Sequence, residues 1–239
     1  MKKIATHYLL LLATALTVLP GCNQTKKMSK QQKGVAVGAA GGAAIGGIIG
    51  NNVGKKGNTV LGALIGAVVG GVAGGLIGDK MDRQAEAIKT EVPGAQVKRV
   101  EEGINVTFDE KNPDGSNAGV FFATNQYNIS ANSKLSLDKL VKIFSQYPET
   151  NILIEGHTDN VGTAPYNLSL SQRRADAVGN FLKANGIPSG RLTIKWYGET
   201  QPKVDNTSDA NRAANRRVEF AITANEKMKA EAKQAAQKN

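Results

Sequence analysis

The stretch that organises this chain reads GHTDNVG at Gly156–Gly162, and YNLSLSQRRA follows closely at Tyr166–Ala175. The apolar run before it, Asn151–Glu155, has the length and composition of a buried strand. Beyond the loop, apolar residues recur at three- and four-residue spacing, which predicts a helix that Ser169 or Asn167 caps. The sequence therefore predicts a strand, a turn-rich loop and a helix as one unit.

Opposite charges flank this predicted loop. Arg173 and Arg174 fall near the expected first turn of the helix, where unpaired backbone N–H groups and guanidinium donors together favour a carboxylate. Asp159 lies in the loop that faces the helix start, so its carboxylate can hold an ammonium group nearby. An arrangement of this kind suits the zwitterionic end of an amino acid, although the charges alone do not name the ligand.

Several ordered motifs together resemble the OmpA-like peptidoglycan-binding domain, a family that includes the peptidoglycan-associated lipoproteins. They are the GHTDNVG loop, the YN–LS–RRA pattern, Gly198 with Pro202, and NRRVE at Asn215–Glu219. The resemblance covers about residues 96–224. It implies noncovalent binding of diaminopimelate in the peptide stem of the bacterial cell wall, with Asp159 on the ammonium group and Arg174 on the carboxylate.

Further residues join the candidate site through the same resemblance. Asn167 either caps the helix or bonds the polar end of the ligand, as the matching position does in relatives. Asn125 is a candidate on the opposite lip of the pocket. Of Arg216 and Arg217, one is expected to line the pocket and the other to pair with an acidic residue, and we assign Arg216 to the pocket. His157 is expected to make a structural hydrogen bond.

The N-terminus has the pattern of a bacterial lipoprotein signal peptide. A basic start precedes the apolar run Tyr8–Leu19, which has secretory length and is short for a membrane span. The run ends in LPGC, which resembles a lipobox, so the Cys22 thiol is expected to receive diacylglycerol; an ordinary secreted protein with a free thiol is the alternative. Asn23 is not the Asp that signals inner-membrane retention. This favours an outer-membrane lipid anchor with the domain facing the periplasm.

The composition excludes several classes of function. With one Cys there is no internal disulfide, and after signal cleavage His157 is the only histidine, which excludes zinc sites of clustered His and Cys and also Cys–His catalysis. No G-x-S-x-G motif supplies a nucleophile, so we expect neither an enzyme nor a cofactor or metal. The net charge of +10 can indicate nucleic acid. Many of the positive charges lie outside the candidate domain. They are therefore expected to meet anionic lipid heads or wall polymers, or only to keep these segments solvated.

Glycine recurs at every fourth position in two segments that a polar turn separates. The positions are 34, 38, 42, 46, 50 and 54, then 62, 66, 70, 74 and 78. On a helix this period puts the glycines in one row where another backbone can approach closely. Each glycine costs about 1 kcal/mol in a water-exposed helix. A helical hairpin of the glycine-zipper type, held by a bilayer or by self-association into a homo-oligomer, is therefore expected; a low-complexity linker is the alternative.

The layout of the whole chain follows from these segments. It comprises a signal peptide (1–21), a lipidated tether (22–33), the glycine-zipper hairpin (34–78), a linker helix (79–95), the OmpA-like domain (96–224) and a charged tail (225–239). The expected strands of the domain lie at 96–100, 104–108, 120–122, 152–154, 192–197 and 218–223. With two helices between them, they predict an α/β two-layer sandwich of OmpA-like β-α-β-α-β-β order, preceded by the Gly-rich helical hairpin. The tail is expected to be a solvent-facing helix or to fray.

Two functions remain open from the sequence. The first is an outer-membrane lipoprotein that binds peptidoglycan noncovalently and tethers the membrane, through acylated Cys22, to the wall. The second is a glycine-zipper membrane oligomer or envelope assembly factor that uses the wall-binding domain for positioning. Nucleic acid is not an expected partner of either.

Overall fold

The computed structural model describes residues 72–100, 102–108, 120, 122 and 125–238. The signal peptide, Cys22, the tether and nearly all of the glycine-zipper segment lie outside these residues, so the expectations for them stay predictions. In the part of the chain that the structure describes, no helix has both the length and the apolarity needed to cross a membrane.

A mixed five-stranded sheet forms the centre of the fold. Its strands are β1 (Ala95–Val100), β2 (Gly103–Phe108), β3 (Thr150–His157), β4 (Leu192–Gly198) and β5 (Val218–Ala224). They lie in the spatial order β1-β2-β5-β3-β4. Strands β3 and β4 run parallel, whereas the other neighbours are antiparallel. The predicted α/β sandwich, its opening hairpin and its last three strands are confirmed.

The strand predicted at 120–122 is wrong. Val120 and Phe122 lie outside any strand, although both side chains are buried against the core. Their apolar character therefore reflects burial of a loop, which a short apolar run cannot distinguish from strand pairing.

The α-helices that the structure describes are α1 (Val72–Glu91), α2 (Ala131–Gln146), α3 (Ala164–Ala184), α4 (Asp209–Asn215) and α5 (Glu226–Ala236), and a short 3-10 helix spans Ser189–Arg191. Helix α2 begins at a Ser130 cap, whose side chain accepts from the Ser133 N–H. Helix α3 ends at Asn185, and Gly186 follows with a φ of 91°. A glycine in this left-handed conformation is a common way for a helix to end.

The core lies between the helices and one face of the sheet. Phe220 of β5 packs against Phe108 of β2 and Phe144 of α2, with ring centroids 5.7 and 6.4 Å apart. On the neighbouring strands, Ile154 and Ile194 approach α3 so closely that a Cβ atom at Gly179 would overlap Ile194. The glycine therefore allows helix and sheet to meet in close contact.

Helix α1 crosses the boundary that we drew between the zipper segment and the linker helix. Its buried residues include Ala73, Ile77, Met81 and Ile88, which follow one another at helical spacing and belong to the main core. The boundary at residue 78 therefore lies inside one continuous helix. Because this apolar stripe packs on the rest of the fold, α1 is part of the domain and not a free linker.

Helix α5 packs against α1, so the C-terminal segment is not simply a solvent-facing tail. Met228 and Ala232 are buried in the main core. On the outside, the ammonium group of Lys80 in α1 lies 3.3 Å from the carboxylate of Glu231 in α5. Small alanine side chains let two helices approach closely. Because alanine is only weakly apolar, the sequence did not indicate that this face of α5 is buried.

Candidate ligand-binding site

The loop after β3 is fixed by hydrogen bonds to the ends of its two neighbouring strands. The N–H of His157 donates to the Arg217 carbonyl at 3.0 Å, and the N–H of Thr158 donates to the Gly198 carbonyl at 2.9 Å. A Cβ atom at Gly156 would overlap the backbone carbonyl of Ser171. Only glycine therefore lets α3 lie this close to the strand that delivers the loop.

Helix α3 begins earlier than the sequence indicated. Its N-cap is Thr163, whose side chain accepts from the Tyr166 N–H at 3.4 Å, and Pro165 lies in the first turn. The predicted caps at Asn167 and Ser169 are therefore wrong. Arg174 lies about three turns into the helix, so the unpaired N–H groups of the helix start do not contribute to its surroundings.

Asp159 is held in place by two donors. One carboxylate oxygen accepts from the Arg216 guanidinium at 2.7 Å, and the other accepts from the Val161 N–H at 3.0 Å. Only 6% of Asp159 is exposed. A carboxylate offers about four lone-pair positions, so this oriented group can accept further hydrogen bonds from a ligand ammonium.

Asn167 connects α3 to the loop of Asp159. Its amide nitrogen donates to the Asp159 backbone carbonyl at 3.3 Å and to a carboxylate oxygen of Glu199 at 2.5 Å. The residue is 1% exposed. Among the described residues, none donates to its side-chain oxygen, so that atom is available to an ammonium donor. Sequence reasoning missed Glu199, which the motif glycine Gly198 immediately precedes.

Arg174 is tied to the other side of the site. Its Nε donates to the Gln126 carbonyl at 3.0 Å, and its guanidinium lies 5.3 Å from the ring centroid of Phe122. The side chain belongs to a residue that is only 3% exposed. Asn125, next to Gln126, is exposed and has a φ of 57°, a left-handed conformation that asparagine tolerates better than most residues.

The predicted site residues thus form two bonded groups. Asp159, Asn167 and Arg216 are joined directly, whereas Arg174 is joined to the lip that carries Asn125. Asn167 and Arg174 are two helical turns apart, so they share one face of α3 at a separation of about 10 Å along its axis. The acidic group and the basic group therefore border the same side of the helix.

The two neighbouring arginines have different surroundings. The side chain of Arg216 is 28% exposed and pairs with Asp159, whereas that of Arg217 is 2% exposed and pairs with Glu219. Arg217 also donates to the Gln201 carbonyl at 3.3 Å. The structure therefore places Arg216 beside the candidate site and Arg217 in the interior.

A second set of polar side chains is buried on β3 and β5. Burial, together with the neighbouring charge of Glu219, raises the pKa of Glu155 to about 7. Burial and the charge of Arg217 lower the pKa of His157 well below its usual value. The structural hydrogen bond predicted for His157 is wrong, because neither ring nitrogen has a partner among the described residues. Its ring stacks on Tyr197 instead, with centroids 5.4 Å apart.

The donor set of the site suits an organic zwitterion. Within residues 72–238, wherever the structure describes them, no group of three His, Cys, Asp or Glu side chains is placed to hold a metal ion. The groups that are present offer a carboxylate and an amide oxygen on one side and a guanidinium on the other. They can bind and orient an ammonium and a carboxylate of one ligand.

Comparison with known proteins agrees with the fold. Residues 121–216 match the sequence profile of the OmpA family, and residues 1–82 match that of the YMGG-like Gly-zipper. The described domain is similar to a MotB-like protein from Desulfovibrio vulgaris, with a TM-score of 0.53 and 28% identity over 62% of this chain and 93% of that one. The mixed sheet, the helices on it and the GHTD loop define an OmpA-like domain.

Sequence relatives place the chain more narrowly. It is 38% identical over 102 residues to the peptidoglycan-associated lipoprotein of Pasteurella multocida. The matched region covers 43% of this chain and 68% of that protein. It is 39% identical over 132 residues to outer membrane porin F of Pseudomonas fluorescens. Here the matched region covers 55% of this chain but only 36% of the porin. The chain belongs to the OmpA family, as its motifs indicated, and this is a family of structural domains rather than of enzymes.

Proposed function

We propose that this protein tethers the outer membrane to the cell wall. Its OmpA-like domain binds peptidoglycan noncovalently through the diaminopimelate of the peptide stem, and acylated Cys22 holds the chain in the membrane with the domain facing the periplasm. The relatives named as peptidoglycan-associated lipoproteins support this function. The observation that carries it is the buried Asp159 carboxylate, oriented by Arg216 and joined through Asn167 to the helix face of Arg174.

The free end of diaminopimelate is a zwitterion that matches this arrangement. Its ammonium group donates to the remaining lone pairs of Asp159 and to the side-chain oxygen of Asn167. Its carboxylate accepts from the terminal nitrogens of Arg174, whose Nε already donates to Gln126. The exposed Asn125 at the lip contributes a polar contact at the edge of the ligand.

A single site of this kind binds weakly, and the membrane anchor compensates for it. Each charge-assisted hydrogen bond contributes roughly 1.5–3 kcal/mol. After the cost of immobilising a flexible stem, a few such bonds give an affinity in roughly the micromolar to millimolar range. Many copies held in one membrane and facing a continuous polymer stay attached through their effective concentration.

Co-sedimentation of the full chain with purified sacculi tests the function. Asp159→Ala and Arg174→Ala should each lose most of the bound fraction while they keep the circular dichroism spectrum of the wild type. Asp138→Ala, which removes one exposed carboxylate from α2, is the matched control and should bind normally. Wild-type binding by both site variants would contradict the assigned site.

The glycine-zipper segment supports a second function, because residues 1–82 match a YMGG-like Gly-zipper profile. In this alternative the segment forms a membrane oligomer or assembly factor, and wall binding only positions it. A deletion of residues 34–70 separates the two functions and spares Ala73 and Ile77, which belong to the core. If wall retention and envelope integrity survive the deletion, the tether is supported; if envelope integrity is lost while wall binding persists, the zipper carries the function.

A further inference from the structure

A groove of about 530 Å³ lies beside the candidate site, between the start of α2, the loop before it and the outer face of α3. Its volume falls within the range of small-ligand sites, roughly 300–1,000 Å³. Its polar lining consists of Tyr127, Asn128, Lys134, Arg173, Asp176 and Asn180. The groove adjoins the candidate site, because Tyr127 directly follows Gln126, whose carbonyl accepts from Arg174.

The charges of this groove favour an anion. Arg173 and Lys134 carry two positive charges against the one negative charge of Asp176, and no described carboxylate forms an ion pair with either cation. A cation that no carboxylate neutralises attracts the carboxylate of a ligand. The local field therefore complements an acidic group.

Arg173 is also held in position before any ligand binds. Its guanidinium lies 5.3 Å from the ring centroid of Tyr127, and one of its terminal nitrogens donates to the Ser169 hydroxyl at 3.3 Å. The ring of Tyr127, a residue that is 44% exposed, supplies a flat apolar surface beside the charge. Because the side chain is ordered in advance, less conformational entropy is lost on binding.

We propose that this groove is a second subsite, which binds a carboxylate on the part of the wall peptide next to the diaminopimelate in the candidate site. This inference rests on the proposed function. The occupant is a neighbouring part of the same ligand because the two sites share the 126–127 segment. Arg173 and Lys134 bind the second carboxylate, while Tyr127 packs against the peptide backbone.

Binding of two ligands by the full chain tests the subsite: free meso-diaminopimelate, and the stem tripeptide in which an acidic residue precedes diaminopimelate. Wild type should bind the tripeptide more tightly than the free amino acid. The variant Arg173→Gln with Lys134→Gln should lose about tenfold in affinity for the tripeptide and keep its affinity for free diaminopimelate. Lys139→Gln, which removes an exposed positive charge from another face of α2, should change neither.

The outcomes separate the subsite from the function on which it rests. If the double variant binds the tripeptide as wild type does, the subsite is refuted and the proposed function stands. An equal loss for both ligands would also refute it, because Arg173 and Lys134 would then act on the candidate site. If wild type binds neither ligand, the proposed function itself fails. Amidation of the second carboxylate on the tripeptide should weaken binding to wild type about tenfold but should not change binding to the double variant. This result would show that the two substitutions act through the lost charges and not through a change in the shape of the groove.

Discussion

The guanidinium of Arg216 lies 2.7 Å from the carboxylate of Asp159, across 57 residues of chain. The acid of the candidate site is therefore not an isolated anion. Arg216 fixes the direction of the carboxylate and partly neutralises it, so a ligand ammonium meets an oriented acceptor of reduced charge. The affinity of the site then depends on both residues, and removal of Arg216 leaves a buried carboxylate with a single described donor.

Asp159 and Arg216 should therefore be energetically coupled. We expect Asp159→Asn and Arg216→Gln each to lower the free energy of unfolding, because each leaves a buried polar partner without its ion pair. The double variant should be less destabilised than the sum of the two, with a coupling energy of about 1–3 kcal/mol. Urea denaturation of the four proteins measures this, and additive effects would show that the pair contributes nothing to stability.

Glu155 should make stability depend on pH. Burial and the charge of Glu219 raise its pKa from 4.5 in the unfolded chain to about 7, against smaller opposing effects that include the Tyr197 hydrogen bond. The folded protein thus binds this proton more tightly, so the resulting stability is fully present below pH 4.5 and is lost as the pH rises through about 7. The loss amounts to at most about 3 kcal/mol.

The variant Glu155→Gln isolates this effect, since other titrating groups cancel in the comparison. Its free energy of unfolding, measured by urea denaturation and compared with that of wild type, should increase as the pH rises from about 5 to about 8. Glu91→Gln, at an exposed position on α1, serves as the control and should show no such trend. A difference between Glu155→Gln and wild type that does not change with pH would rule out the raised pKa.

The buried amide of Gln84 in α1 should lower the free energy of unfolding. The residue is fully buried, and neither polar atom of its amide has a hydrogen-bond partner among the described residues. Gln84→Met keeps the length of the side chain and removes the unpaired amide, so it should raise the free energy of unfolding by about 1–3 kcal/mol. The same exchange at exposed Gln146 should stay within about 0.5 kcal/mol. Destabilisation by Gln84→Met would indicate that the amide is satisfied in solution.

Two glycines with different surroundings test the close contact of α3 with β3. Gly156→Ala should destabilise the domain by about 1–3 kcal/mol and weaken diaminopimelate binding, because a Cβ atom there overlaps the Ser171 carbonyl. At Gly78 in α1, an added Cβ atom would meet no described atom within 4 Å beyond its chain neighbours and its own helix backbone, so Gly78→Ala should stabilise by about 0.5–1 kcal/mol. Thermal unfolding of both variants measures this, and similar shifts in Tm would contradict the described packing.

Periodicity and turn residues were sufficient to predict the five strands of the sheet, although they also predicted a strand at 120–122 that does not form. The start of α3 was missed because Thr163, Asn167 and Ser169 are all acceptable caps, and only the fold decides among them. The pairing of Asp159 with Arg216 depends on two distant segments of chain meeting at neighbouring strands. No local pattern could reveal this contact, although the family resemblance had assigned both residues to one site.

The packing of α1 on α5 was missed for a different reason. The face of α5 is formed by Met228 and small alanines within a strongly charged segment, so its apolar stripe is narrow. The buried stripe of α1 begins inside the glycine-rich run, where composition suggested a different unit. Composition changes along a chain therefore did not mark the limits of the packed domain.

The central claim is that Asp159 and Arg174 hold opposite charges of one zwitterion, and ligand analogues test it most directly. The ligand is the stem tripeptide, in which only one end of diaminopimelate remains a free zwitterion. Acetylation of its ammonium should weaken binding to wild type but not to Asp159→Asn, and amidation of its carboxylate should weaken binding to wild type but not to Arg174→Gln. If each chemical change weakens wild type and both variants by the same factor, Asp159 and Arg174 do not hold these two groups.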